Sequence, residues 1–449
     1  MTNRLILFSL FLLMLACKTT QKPVQTKKIK TWQPPLSISQ SKVVTILDNP
    51  NPFSGLSEPS ICINKTDTAN FVAGSIYHNV HITNDGGQTW HTKALKSKYG
   101  VFGDPCLASD SFGNIYYLHL AIPGNNRNSP EFLSSIVIQK STDKGETWND
   151  GVAIGYNKAH DQDKHWIGIH PLTGELAVTW TEFDKYDSRK PEDKSRILFS
   201  KSTDFGQTWT NPIKINQYDG DCLDDDNTTE GAVPVFDKQG NIYVAWAYNN
   251  KIWFDKSTDG GKTWLDKDII VANQPQGWNY TIPGVFRANG MPVLDIDNSN
   301  SPYSGTLYIN WSDQRNGTDN TDIFISKSTD GGLTWSAPKR VNQDQTKTHQ
   351  YLTWMKIDPA TGFIYIIYYD RSRYTDNQTD VSLSYSTDGG QSFKHLIISD
   401  KPFVPNKFIF AGDYNNIDAY QGIVTPIWTD ITNHTLSIKT KTLHLKSVK

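Results

Sequence analysis

Six stretches of the chain share one pattern: TNDGGQTW at 83–90, STDKGETW at 141–148, STDFGQTW at 202–209, STDGGKTW at 257–264, STDGGLTW at 328–335 and STDGGQSF at 386–393. Their aspartates, Asp85, Asp143, Asp204, Asp259, Asp330 and Asp388, follow at spacings of 58, 61, 55, 71 and 58 residues. Self-similarity at such a period marks a repeat architecture. An alternating apolar run such as Ile323-Phe324-Ile325-Ser326-Lys327 leads into each copy, and an aromatic residue leads out. The pattern is therefore a hairpin turn. Its Asp accepts backbone N–H groups. A glycine supplies positive φ, and the Trp or Phe buries a large face between sheets. These residues build the fold and do no chemistry.

The repeats resemble the Asp boxes (bacterial neuraminidase repeats) of β-propellers, a superfamily that includes the sialidases. The resemblance implies an all-β chain of four-stranded antiparallel blades, strands a to d counted outward from a central channel, with each box in a c–d turn. Sialidases have six blades. Here the strand count gives seven, with the six-bladed sialidase fold as the alternative. Six inner strands start near Glu58-Pro59-Ser60, Asp104-Pro105-Cys106, His165-Trp166, Glu230-Gly231, Met291-Pro292 and Tyr351-Leu352. A seventh runs through Asn416-Ile417-Asp418-Ala419, followed by strands over 422–428 and 436–443 but no fourth. Residues 43–47 precede the first blade and are expected to supply it, closing the ring with both ends of the chain.

Residues 1–16 read as an export signal: Arg4, then a short apolar run from Leu5 to Leu15, too short to span a bilayer. The run ends in Met14-Leu15-Ala16-Cys17, which resembles a bacterial lipobox with Cys17 as the lipidated residue. Residues 17–40, rich in Lys, Thr, Gln and Pro, read as a tether, and 41–449 as the propeller. The expected location is the cell envelope, with the membrane touched only through the lipid. Cys62, Cys106 and Cys222 are left over, an odd number, and read as small buried apolar side chains, with a Cys62–Cys106 disulfide as the alternative if their strands bring the Cα atoms within about 7 Å. A net charge of −2 and a pI near 6.6 give no basic stripe, so nucleic acid is not an expected partner.

In a propeller the strand a starts and b–c loops share one face, opposite the Asp-box turns. The strand a starts bring Glu58, Asp104, Asp163, Lys164, His165, Glu230 and Asp413. The b–c loops bring Glu182, Asp184, Asp313, Arg315, Asp370, Arg371 and Arg373. Crowded carboxyls split their pKa values, which is what general acid and base or nucleophile roles require. Glu230, Asp104, Glu58, Asp313 and Asp370 are the catalytic candidates. Arg287, Arg315, Arg371, His165, Trp166 and Asp413 are the substrate-binding candidates. Trp180, Trp278 and Trp311 join Trp166 as candidate stacking surfaces.

The sialidase resemblance implies an arginine triad, for which Arg287, Arg315 and Arg371 are the candidates, an Asp acid/base, and a Tyr nucleophile, with Tyr369 or Tyr414 in position. The sialidase Arg-Ile-Pro start is absent, and Glu58-Pro59-Ser60 stands in its neighbourhood. In the loop over 219–227, Asp221, Asp224, Asp225 and Asp226 are oxygen ligands suited to a structural Ca²⁺, with a solvated acidic turn as the alternative. No cofactor is required. The functional expectation is an exo-acting sialidase-like glycoside hydrolase on an acidic glycan. A glycan- or protein-binding propeller is the second reading. The third is a polysaccharide lyase with His165 or His349 as base.

Overall fold

The computed structural model describes residues 36–51, 53, 55–432 and 434–447. Within them, seven antiparallel sheets follow one another around a common axis. Blades 1 to 6 are each built from four consecutive strands and begin with inner strands Ser60–Ile63, Cys106–Ser109, Asp161–Ile169, Glu230–Phe236, Val293–Ile296 and Gln350–Ile357. A short hairpin, Asn279–Tyr280 with Ala288–Asn289, interrupts the path between blades 4 and 5.

Blade 7 contains Asn416–Tyr420, Ile423–Thr432 and Thr435–Thr440, and its outer strand is the N-terminal Val44–Asn49. The register runs from Val44 opposite Thr440 to Asn49 opposite Leu436. The seven-bladed count and the closing strand are as expected. The start of the body is not. Leu36–Gln40 is a strand paired with Leu443–Ser447, so the expected tether is shorter than 17–40. Its Leu-Ser-Ile-Ser alternation has the period of two that a sheet demands. The rest of that tether, the export signal and Cys17 lie outside the described residues.

Each Asp box knots its own turn. In blade 5, Ser328 Oγ and Thr334 Oγ1 donate to the Asp330 carboxylate at 2.7 and 2.5 Å, and Gly332 N donates to Ser328 Oγ at 2.9 Å. Trp335 Nε1 donates to the Gly332 carbonyl at 3.1 Å. Two successive residues adopt positive φ, here Gly331 and Gly332. The first position tolerates Lys144 or Phe205 in other blades, but the second is always glycine. At Gly332 a Cβ would stand 2.2 Å from Phe254 of the preceding blade. Blades are latched the same way: Lys256 and Lys327, on third strands, donate to Gly331 and Gly389 in the next blade's box.

The inner strands do not enter the channel straight. Blades 3, 4 and 6 carry a register shift at the start of strand a, between Asp163 and Trp166, Glu230 and Val233, and Tyr351 and Trp354. Lys164, Gly231 and Leu352 there have positive φ, as do Glu58 and Asp104 just before strand a in blades 1 and 2. A bulge re-aims side chains at a rim, and non-glycine residues held at positive φ are uncommon. Here the repeated kink turns one charged residue after another toward the axis.

Although burial alone would raise them, Asp85 and Asp204 are held at about 2 by the hydroxyl and amide groups of their boxes, chiefly Thr89 and Thr208. Their folded values lie below the unfolded 3.8, so their contribution is complete above that value and is lost as pH falls toward 2. The urea midpoint is expected to fall between about pH 5 and pH 3, and Asp204→Asn to lower the midpoint at about pH 5 while shrinking that fall. An unchanged pH dependence in the variant contradicts this account of the box.

Candidate functional site

Lys164, turned inward by the blade 3 bulge, is buried where the inner strands converge. Its Nζ lies 2.9 Å from Asp413 Oδ2 and 3.6 Å from Asp104 Oδ2. Asp413 also receives Arg287, whose Nε donates to Oδ1 at 2.7 Å and whose Nη2 pairs with Oδ2. Arg287 Nη1 continues to Asp224 Oδ2 at 2.8 Å, which Tyr186 OH also reaches at 2.8 Å. The Asp413 amide donates to Glu58 Oε1 at 3.1 Å. That approach needs Gly412, at φ +101°, since a Cβ there would stand 2.7 Å from the Glu58 nitrogen. Glu230, with no exposed surface, completes the ring through its electrostatic coupling to Asp224, Asp163 and Lys164.

Six carboxyl groups (Glu58, Asp104, Asp163, Asp224, Glu230 and Asp413) thus share two cations. Buried carboxylates in such excess cannot all stay ionised. Burial, then Asp104 and Asp413, push Glu58 well above the usual carboxylate range. Burial, then Asp224 and Asp163, do the same to Glu230. Burial lifts Asp163 to about 7 against the pull of Lys164, with Asp104 adding to the rise. Asp224 is raised by burial, opposed by Lys164 and Arg287. Asp413 goes the other way: burial opposes it, but Lys164 and Arg287 hold it at about 2. The ring therefore holds protonated and ionised carboxyls side by side.

Beneath the ring, Trp166, Trp354 and Tyr414 close the axis, with ring centroids 4.4 Å apart for the two Trp and 5.1 Å for Trp166 and Tyr414. Below them a channel of about 190 Å³ is lined by all seven inner strands, with Lys65, Asp295, Lys356 and Asp418 among its residues. Above, Arg287 is the cap: its side chain is 32% exposed, and its guanidinium also lies 5.4 Å from the Phe410 ring centroid.

Of the expected site residues, Glu58, Asp104, Glu230, Asp413 and Arg287 belong to this ring, and Trp166 is its floor. Asp313 and Asp370 do not. Asp313 pairs with Arg315 two residues on and accepts Trp311 Nε1 at 2.7 Å. Asp370 accepts Ser372 N and Ser382 Oγ, both at 2.8 Å. Both stand at the end of a second strand, one strand out from the axis, and their partners are in their own blades. Nor do the three arginines form a triad. Arg315 is locked to Asp313, and Arg371 donates to Thr379 Oγ1, Asn377 Oδ1 and the Pro283 carbonyl.

The stacking surfaces are also corrected, because Trp166, Trp180, Trp278 and Trp311 are all buried. Tyr369 and Tyr414 donate to backbone carbonyls, and burial raises both phenols well above their ordinary value, which is the wrong direction for a nucleophile. Burial holds His165 at about 3 and His349 at about 4, too weak to serve as a lyase base. Cys62, Cys106 and Cys222 are buried free thiols.

The calcium reading of the acidic loop fails on direction. Asp221 accepts Thr228 Oγ1, Asp225 accepts the Asp226 amide, Asp226 accepts the Asn279 amide, and Asp224 faces Arg287. Among the described residues no three His, Cys, Asp or Glu side chains are placed to share a metal ion. Asp224 is thus a ring member that composition alone misassigns, whereas Asp163 and Lys164 are strand a starts expected at this mouth, aimed inward by the bulge.

No family model matches the sequence. Over 316 residues the chain is 26% identical to a sialidase of Bacteroides fragilis, covering 63% of this chain and 52% of that protein. Over 275 residues it is 26% identical to the xyloglucanase Xgh74A of Acetivibrio thermocellus, covering 55% and 29%. The chain therefore spans about half the length of the first relative and under a third of the second. A protein of unknown function from Dyadobacter fermentans superposes with a TM-score of 0.50 at 14% identity, covering 91% of this chain and 99% of that one. A mutant of the NanB sialidase of Streptococcus pneumoniae gives 0.50 at 10% identity, covering 84% of each. The shared feature is the fold, a sialidase-like β-propeller.

Lys164→Met leaves Asp413 and Asp104 buried with one cation fewer. Breaking a buried pair from one side costs about 3–5 kcal/mol. Urea denaturation is expected to show a loss of that size for Lys164→Met, and a smaller loss when Asp104→Asn is added. A loss under about 1 kcal/mol would mean the ring does not depend on this ammonium.

Proposed function

We propose that the protein is a glycoside hydrolase working through the carboxyl ring around Lys164. What carries this reading is the close placement of buried carboxyls in opposite protonation states. Glycosidic cleavage needs one carboxyl to give a proton to the leaving oxygen and another to act as base or nucleophile. Glu230 is the acid. It is fully buried and held protonated, and its Oε1 has no hydrogen-bond partner. Asp224 is its partner: Arg287 and Tyr186 pin Oδ2, while Oδ1 has no hydrogen-bond partner. Asp413, saturated by Lys164 and Arg287, anchors the ring. Arg287 caps these groups on the solvent side, so this reading requires it to move aside for a substrate to reach them. The sialidase and xyloglucanase among the relatives agree with glycan chemistry on this fold.

The same proposal places the protein in the envelope, held by a lipid on Cys17. Metabolic labelling with palmitate is expected to mark the wild type and not Cys17→Ala, and the variant to leave the membrane fraction. Equal labelling of both removes the anchor.

For the chemistry, the test is turnover of a broad panel of fluorogenic glycosides. Glu230→Gln is expected to lower kcat on the wild type's preferred probe by about 10²- to 10⁴-fold, with an unchanged circular dichroism spectrum and little change in binding. A folded wild type that binds glycans but turns none over supports the binding propeller instead.

A further inference from the structure

We propose that the ring takes an uncharged sugar, recognised through its hydroxyl groups, and turns away sugars that carry a carboxylate; the inference rests on the reading of the ring as a glycan site. This reverses the acidic substrate expected from the sialidase resemblance. Three buried carboxyl oxygens from three separate segments have no hydrogen-bond partner: Asp104 Oδ2, Asp224 Oδ1 and Glu230 Oε1. Asp104 Oδ2 faces the Lys164 ammonium at 3.6 Å, beyond hydrogen-bond reach. Buried polar atoms without partners are costly, so whatever fills the site must donate to Asp104 and Asp224 and accept the proton that Glu230 offers.

A carboxylate ligand only accepts. It would add negative charge where carboxyls already outnumber cations, and its natural counterpart is taken. All three nitrogens of the Arg287 guanidinium group are engaged, Nε and Nη2 with Asp413 and Nη1 with Asp224. Lys164 is held by Asp413 and Asp104. Arg315 and Arg371, the other members a triad would need, are engaged elsewhere.

A cationic amino sugar is disfavoured for the opposite reason. An ammonium donates as a hydroxyl does, but it would enter beside the Lys164 ammonium and the Arg287 guanidinium, like charges already seated among these carboxyls. A sugar hydroxyl both donates and accepts, which matches a ring made of protonated and ionised carboxyls.

The test uses the processed full-length protein and matched methylumbelliferyl probes: glucoside against glucuronide, galactoside against galacturonide, and a sialoside. Binding of the fluorescently labelled protein to an array of neutral, amino and acidic glycans runs beside it. The expected result is a preference for the uncharged member of a pair on the order of 100-fold in kcat/KM, or in affinity on the array, since like-charge juxtaposition is strongly unfavourable. Preferred turnover or binding of a uronide, a sialoside or an amino sugar overturns the inference and leaves the glycan site standing. Binding of neutral glycans without turnover supports the inference and removes hydrolysis. A folded protein that binds no glycan overturns both.

Discussion

The ammonium of Lys164 and the carboxylate of Asp413 meet at 2.9 Å, and that pair ties the third blade to the chain entering the seventh. Inner strands that converge on one axis must agree about what occupies it. Buried charge is admissible there only if paired, and Lys164 and Arg287 are the two cations seated among the ring carboxyls. They hold Asp413 ionised, while burial and neighbouring carboxyls push Glu58, Asp163 and Glu230 toward keeping their protons. Structure and chemistry then have one origin: the arrangement that makes the axis affordable also sets a proton donor beside a carboxylate.

The scaffold makes this arrangement reproducible. Asp boxes lock the turns at the opposite face and seat each blade on its predecessor, so the inner strands are fixed from outside. The N-terminal strand Val44–Asn49 completes the last blade, so segments from the two ends of the chain close the ring. With the frame fixed, the bulges at Asp163 to Trp166 and Glu230 to Val233 select which side chains reach the centre. Removing one extra residue from either strand would exchange the inward and outward sets.

The same hierarchy explains what the sequence conveys. The boxes are readable because their hydrogen bonds are local, closing within eight residues of chain. The blade count follows from the regular alternation between boxes and from residues 43–47. Glu58, Asp104, Glu230 and Asp413 are readable as site residues because topology alone sends strand a starts to the axis. The rest turns on where side chains point. Asp313 and Arg315 look like a site pair and prove to be partners within their own blade. Asp224 sits among aspartates that suggest calcium, yet it faces Arg287 across 63 residues of sequence. The Trp residues near the mouth are abundant but packed inward, and Leu36–Gln40 looks like tether because its pairing partner lies at the far end of the chain.

The account stands on buried acids that keep their protons near neutral pH, and their titration is the direct test. Carbon-13 NMR of side-chain carboxyls, with assignments made through Glu58→Gln, Asp163→Asn and Glu230→Gln, reads each group separately. The account predicts that Asp163 titrates near about pH 7 and that Glu58 and Glu230 titrate well above the usual carboxylate range, while Asp413 stays ionised to about pH 2. If all four carboxyls titrate below about pH 5, the ring is an ordinary solvated acidic surface and the account is wrong.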